Sequence, residues 1–435
     1  MTLVIASVRV VGRVPTLDGV PTAALPTGLR VRTREIAPPA GGLLALLPSA
    51  RDPLSWVRDG EGLVGWGEVA RFTGRGAGRF AEADAWWRGL VAGWEVTDEV
   101  GLPGTGPVAF ASLTFADSSP GSVLVVPRVV VGMRDGRAWV TEFGEPAPLG
   151  PVEPVRAAGR LRYSDGDLSV TDYRDAVAEA VRRMRAGTLA KAALAHDLLA
   201  VADSDHDPRH LLRGLAERYP TCWAYAVDGL VGATPELLLR KRSGVVESRV
   251  LAGTSWNGGE LGTEKNLVEH RYAVDSLAER LQPFCRVLDV PGEPTVLALH
   301  NVSHLATDVR GRVRGEASLL RIAGAVHPTA AVGGTPRAAA VALIAELEGM
   351  DRGRYAGPVG WVGAAGDGEL GVALRCAQLT GPVARLYAGC GIVADSDPEA
   401  EVREAAAKLR AVREALGQSS AGRSRAARRD SASTR

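Results

Sequence analysis

A mixed α/β fold is predicted by three features of the chain. Short β-like runs separated by Asp-Gly and Ser-Gly pairs recur along it, an amphipathic helical register begins at Ser169, and helices then alternate with apolar strands as far as Leu416. The 435 residues are 46% hydrophobic and carry a net charge of +1, which suits a soluble chain with a large core. That charge balance leaves no electrostatic footprint for a nucleic-acid partner. No run is long and apolar enough to suggest a membrane span. The opening MTLVIASVRVVGRV is broken by Arg9 and Arg13 and reads as a strand rather than a signal peptide. Cys222, Cys285, Cys376 and Cys390 lie far apart without CxxC spacing, so a reducing, cytoplasmic setting is expected.

Taken in order, residues 1–165 read as the β-rich N-terminal half of a single unit. Asp52 to Phe72 is expected to contain a hairpin through Asp59-Gly60, and Ser122 to Phe143 two strands around Arg134-Asp135-Gly136. No catalytic constellation stands out there, and scaffold is the expectation. In the candidate binding region, 166–417, Tyr173, Val177, Val181 and Met184 fall at helical spacing, with Thr171 or Asp172 as N-cap and Gly187 as the stop. A strand from Lys191 to Val201, a helix from Pro208 to Arg218 and a meander turning at Asp228-Gly229 and Ser243-Gly244 follow. A long helix starts at Glu264, a strand runs from Leu299 to Val313, and the Gly-Pro loop after His327 enters another helix. Residues 418–435 are small, polar and basic, and are expected to be disordered.

The chemistry-bearing candidates lie in the second half. Of 51 basic residues only Lys191, Lys241, Lys265 and Lys408 are lysines, so each merits a question that an arginine would not. Glu236 stands between Pro235 and Leu237 at the entry to an apolar run. Burial there would raise its pKa and suit a general acid, while an edge position would make it an ordinary solvated carboxylate. Lys265 and Glu269 are one helical turn apart, the spacing of a surface ion pair. His300 and His304 share one strand face without a third ligand, so zinc is not expected. From Tyr355 to Lys408 the chain reads strand, turn, a strand with Arg375, a strand ending Gly389-Cys390-Gly391, and a helix opened by Ser396-Asp397-Pro398-Glu399. Glu401, Glu404 and Lys408 share a face of that helix, and the whole stretch has the makings of a small-anion site.

Lys191 in LAKAALAH, Glu236 in VGATPELLL, LAGT, EKNLVEH, SHLAT, HPTAAVGGTP, YAGPVGW, GDGELGVALRCA, YAGCGIV and SDPEAEVREAAAK, in this order, resemble the chorismate-utilising enzymes. The resemblance runs from about Thr171 to Leu416. It implies an α/β (α+β) fold of two stacked antiparallel sheets with helices outside. It also implies a site for chorismate in which Lys191 is the general base and Glu236 the general acid. Glu269 and Glu404 match the Mg²⁺ ligands, with Glu401 on the same helix face as Glu404. Tyr355 and Arg375 match the groups that hold the enolpyruvyl carboxylate, Gly253, Thr254 and Gly389 the backbone contacts, and His304 and Lys408 further pocket positions. A lysine at 191 argues against the ammonia-using members, so no glutaminase subunit is expected. Ala331 in HPTAAVGG, where salicylate synthases tend to carry threonine, favours an isochorismate synthase over a salicylate synthase, and the resemblance is to the menaquinone-type isochorismate synthases. A monomer without nucleic-acid or membrane partners is the accompanying expectation.

Overall fold

The computed structural model describes residues 28–146, 149–256, 261–298 and 302–417. Among them, two large sheets of thirteen and ten strands stack face to face, with α-helices packed outside. The predicted turns form as read. Asp59-Gly60, Asp135-Gly136, Asp228-Gly229 and Ser243-Gly244 all have positive φ at both residues, the geometry that matches the twist of a two-residue hairpin. Trp56, Phe110, Trp139 and Tyr225 are fully buried in the core. A side chain of that class stabilises the fold by about 1.5–3 kcal/mol when fully buried.

The first sheet is nearly symmetrical about the antiparallel pair Leu54–Arg58 with Trp223–Val227, and the second about Val108–Ser112 with Pro358–Gly363. Outward from these central pairs the two halves of the chain lay down strands in the same order. In the N-terminal half, the chain leaves the first sheet after strand Glu61–Trp66, enters the second at Ala70–Gly74, and returns between Ser122–Val126 and Val129–Arg134. In the C-terminal half it leaves after Leu230–Thr234 for Leu237–Arg242 and returns between Gly368–Val372 and Cys376–Thr380.

These crossings correct two readings of the sequence. Ser122 to Phe143 holds three strands rather than two, because proline at 127 has no N–H for a ladder and the chain changes sheet there. Likewise the apolar run through Glu236 is two strands in two sheets, parted at Pro235. Two caps also differ. Ser169, two residues before the first of the expected N-caps, accepts from the Asp172 N–H (3.1 Å). At the last helix, Pro398–Leu416, Asp397 rather than Ser396 is the cap, accepting from the Ala400 N–H at 2.8 Å with Pro398 in the first turn. Ser396 instead accepts from the Val393 N–H (3.2 Å). The four cysteines are free and buried. His300 and the basic tail lie outside the described residues, as does the Lys265 side chain. No described helix is long and apolar enough to cross a membrane.

Candidate active site

The paired sheet crossings of the C-terminal half build the site. Pro235 interrupts the first-sheet ladder, and the freed N–H of Glu236 donates to the Thr234 hydroxyl at 3.2 Å. Glu236 is thereby left between the sheets, 5% exposed. On the antiparallel return, Arg375 occupies the matching turn in a left-handed conformation (φ 48°), uncommon for a non-glycine residue and a source of local strain. Backbone bonds tie the two crossings together: Val372 N–H to the Glu236 carbonyl (3.1 Å) and Ala233 N–H to the Arg375 carbonyl (3.2 Å). Both side chains line a cavity of about 1070 Å³, its open mouth included.

Burial governs the protonation of two groups on this wall. Desolvation pushes the Glu236 carboxyl up to about 8 despite the opposing charges of Lys191 and Lys408, so at neutral pH it carries a proton. Desolvation, reinforced by Arg375 and Lys408, pushes His304 down to about 3, and it is a neutral ring. Its Nε2 accepts from the Arg375 guanidinium at 3.3 Å, which puts the ring proton on Nδ1, facing the Gly253 carbonyl. Arg375 is thus braced by His304 on one side and by the Cys222 sulfur, 3.9 Å away, on the other.

The opposite wall comes from two helices and the strand that starts at Lys191. Thr263 caps helix Glu264–Leu281, and His270 fixes its rotation: Nδ1 donates to the Ala252 carbonyl (3.3 Å) and Nε2 accepts from the Thr307 hydroxyl (2.7 Å). Glu269 then points into the cavity. Lys191 is fully buried, and its Nζ lies 3.1 Å from Glu269 Oε1. It sits behind the lining, beside Gly391, where a Cβ would collide with Glu269 Oε1 and lie 3.0 Å from Lys191 Cε. Gly253 (φ 73°) has a comparable reason to be glycine, since a Cβ there would come within 3.1 Å of Asn266. From the last helix, Glu401 and Glu404 enter beside Cys390, their candidate ligand atoms within 4.8 Å of one another. Lys408 pairs with Glu404 at 2.8 Å and donates to the Gly389 carbonyl at 2.9 Å. Burial opposes the charge on Lys408, but Cys390 and Glu404 outweigh it and hold the amine above its usual range.

The structure therefore brings Glu236, Gly253, Glu269, His304, Ala331, Tyr355, Arg375, Gly389, Glu401, Glu404 and Lys408 to one cavity, with Lys191 directly behind it. Thr254 stands opposite His304 in the strand ladder. Sequence reasoning did not single out Asn266, Arg352 or Tyr387, which also line it. Tyr387 stacks on Tyr355 with ring centroids 4.9 Å apart and planes 7° from parallel. Its strand was legible but its partner ring, 32 positions earlier, was not.

With fold and cavity described, comparison with known proteins places the chain. Residues 154–417 match the family model described as chorismate binding enzyme. The chain belongs to this family of chorismate-binding enzymes. It is 33% identical over 407 residues to the salicylate biosynthesis isochorismate synthase of Pseudomonas aeruginosa, covering 83% of this chain and 84% of that one. It is 36% identical over 334 residues to the isochorismate synthase DhbC of Bacillus subtilis, covering 72% and 81%. Among solved structures it resembles MenF, the menaquinone-specific isochorismate synthase of Escherichia coli, with a TM-score of 0.76 and 26% identity over 90% of this chain and 95% of that one.

Proposed function

We propose that this protein is an isochorismate synthase, converting chorismate to isochorismate. The observation that carries the reading is the protonated Glu236, held at a sheet crossing in the same cavity that Lys191 backs through Glu269. Lys191, as the free amine, takes a proton from a water that bonds to ring carbon C2, the two conjugated ring double bonds each shift by one position, and Glu236 gives its proton to the C4 hydroxyl, which leaves as water. One water enters and one leaves, so the reaction is an isomerisation. A positioned general acid or base of this kind contributes roughly 10²- to 10⁴-fold in rate. Arg375, preset by His304, holds the enolpyruvyl carboxylate with Tyr355.

The charges present fit a divalent cation. Three carboxylates, Glu269, Glu401 and Glu404, line the cavity with only two cations, Lys408 and Arg375, apart from the proposed base and the Arg352–Glu348 ion pair, while Glu236 and His304 are neutral. A doubly charged substrate anion would add to this surplus of negative charge, and one hard divalent ion offsets it with the oxygen donors it prefers. Glu269, Glu401 and Glu404 are the residues that would hold Mg²⁺, which when bound supplies positive charge against the ring carboxylate.

Purified protein incubated with chorismate and Mg²⁺ should yield a chorismate–isochorismate mixture, resolved by chromatography, without salicylate or pyruvate. Salicylate accumulation would assign the pyruvate-eliminating activity instead, and unchanged chorismate would reject the proposal.

A further inference from the structure

Strand Lys191–Ala202 has a gap along one edge. Lys191 and Ala192 pair with the short strand Gly334–Thr335, and residues from Leu198 onward pair with Leu161–Asp165, but between them no strand among the described residues runs alongside. Unpaired buried backbone groups are costly, so something must satisfy them. The Ala193 N–H donates to the Gly333 carbonyl at 2.7 Å. The Ala193 carbonyl accepts from Arg352 Nη2 (2.6 Å), and the Ala195 N–H donates to Glu348 Oε1 (2.8 Å). An ion pair thus stands where a neighbouring strand would.

That pair is buried and bidentate. Arg352 Nε lies 2.8 Å from Glu348 Oε2 and Nη2 lies 2.5 Å from Oε1, with the two side chains 4% and 1% exposed. Arg352 Nη1 donates to the Val332 carbonyl at 3.0 Å, next to Ala331, and the guanidinium lies over the Phe115 ring at 4.2 Å and 5.9 Å from the Tyr355 ring. A guanidinium offers five N–H hydrogens. Four are committed to protein acceptors, so Arg352, although it lines the cavity, is not built as an anion grip in the way Arg375 is.

We infer that Arg352 and Glu348 form the positioning pair of this active site. The ion pair takes the place of an absent strand and locks three walls, the Lys191 strand, the Ala331–Val332 loop and the Tyr355 segment, in one register. The inference rests on the reading of Lys191 as the base. A misplacement of about 1 Å can cost on the order of 10²-fold in rate, so its signature lies in kcat rather than KM.

Arg352→Met alone strands a buried carboxylate and can fail to fold. The decisive variant is therefore Glu348→Met/Arg352→Met, since apolar replacement of both members of a buried pair is often neutral for stability. The double variant avoids a stranded charge but leaves the Ala193 carbonyl and the Ala195 N–H without these partners, so it should fold with a modestly lowered Tm, exchange the Ala195 amide hydrogen much faster, and turn over about 10²-fold more slowly with KM little changed. Arg352→Lys, keeping the charge but not the fork, should recover part of kcat. Wild-type kcat in the double variant, with or without faster exchange at Ala195, would overturn the role and leave the pair merely structural. Lys191→Met measured alongside separates the underlying assumption: wild-type turnover there would overturn the base assignment itself, and this proposal with it, whatever the double variant does.

Discussion

Lys191 Nζ sits 3.1 Å from Glu269 Oε1, a fully buried amine against a carboxylate that faces the cavity. One residue is the proposed base and the other a proposed metal ligand, so the two functions meet in one contact. Lys191→Met preserves most of the buried volume and should fold. Its kcat should fall by roughly 10²- to 10⁴-fold, measured from initial rates of isochorismate formation. A loss of less than tenfold would move the base elsewhere.

Glu236 gives a prediction with a sign. Its carboxyl titrates near 8 in the folded protein against 4.5 unfolded. Between those values the folded state holds a proton that the unfolded chain releases, so stability falls as pH rises from about 4.5 to 8. Glu236→Gln mimics the protonated form and should be more stable than wild type at pH 8.5 by on the order of a few kcal/mol, read from denaturant midpoints. It should also lose turnover by about 10²-fold or more, because an amide cannot supply the proton. Wild-type activity, for its part, should decline as pH rises through 8 while this acid ionises.

Arg375 should act on binding. Replacing it by lysine keeps the charge but removes the fork that His304 orients at 3.3 Å. A charge-assisted hydrogen bond is worth about 1.5–3 kcal/mol, so KM for chorismate should rise roughly 10- to 150-fold, with a smaller change in kcat.

Gly391 tests the tight packing around the Lys191–Glu269 pair. A methyl group there meets Glu269 Oε1 and Lys191 Cε, so Gly391→Ala should displace Glu269. Calorimetry should show weaker Mg²⁺ binding than wild type while circular dichroism stays unchanged. Chelation of divalent ions from the wild-type protein should stop turnover, and added Mg²⁺ should restore it.

Much of this was legible in the chain because the signals are local. The hairpins announce themselves through Asp-Gly pairs, and the helix bearing Glu401 and Glu404 through its Asp-Pro start and three-residue spacing. Scarcity made the lysines stand out. Lys191 and Lys408 fall in the site, whereas Lys241 serves a turn, pairing with Asp367 at 2.5 Å. What was not legible is where the chain changes sheet. Local alternation says how a strand is shaded, not which sheet it joins, and so the apolar run through Glu236 read as one strand.

The internal symmetry makes the same division sharper. Leu63-Val64-Gly65 and Leu230-Val231-Gly232 occupy equivalent strands, and each is followed by a sheet crossing with a glutamate, Glu68 or Glu236. On the return crossings, Arg128 and Arg375 correspond. Glu68 and Arg128 are exposed, and Glu68 bonds its neighbour Arg71 at 2.7 Å. Glu236 is buried and protonated, and Arg375 is braced against His304. The sequence by itself determined the residue types, their order and the turns and caps that place them, since these follow from spacings of a few residues. Only the tertiary structure decided which of two equivalent crossings became a site. Burial, pKa and ion pairing depend on what packs against a residue, and here that packing comes from strands and helices dozens to hundreds of positions away.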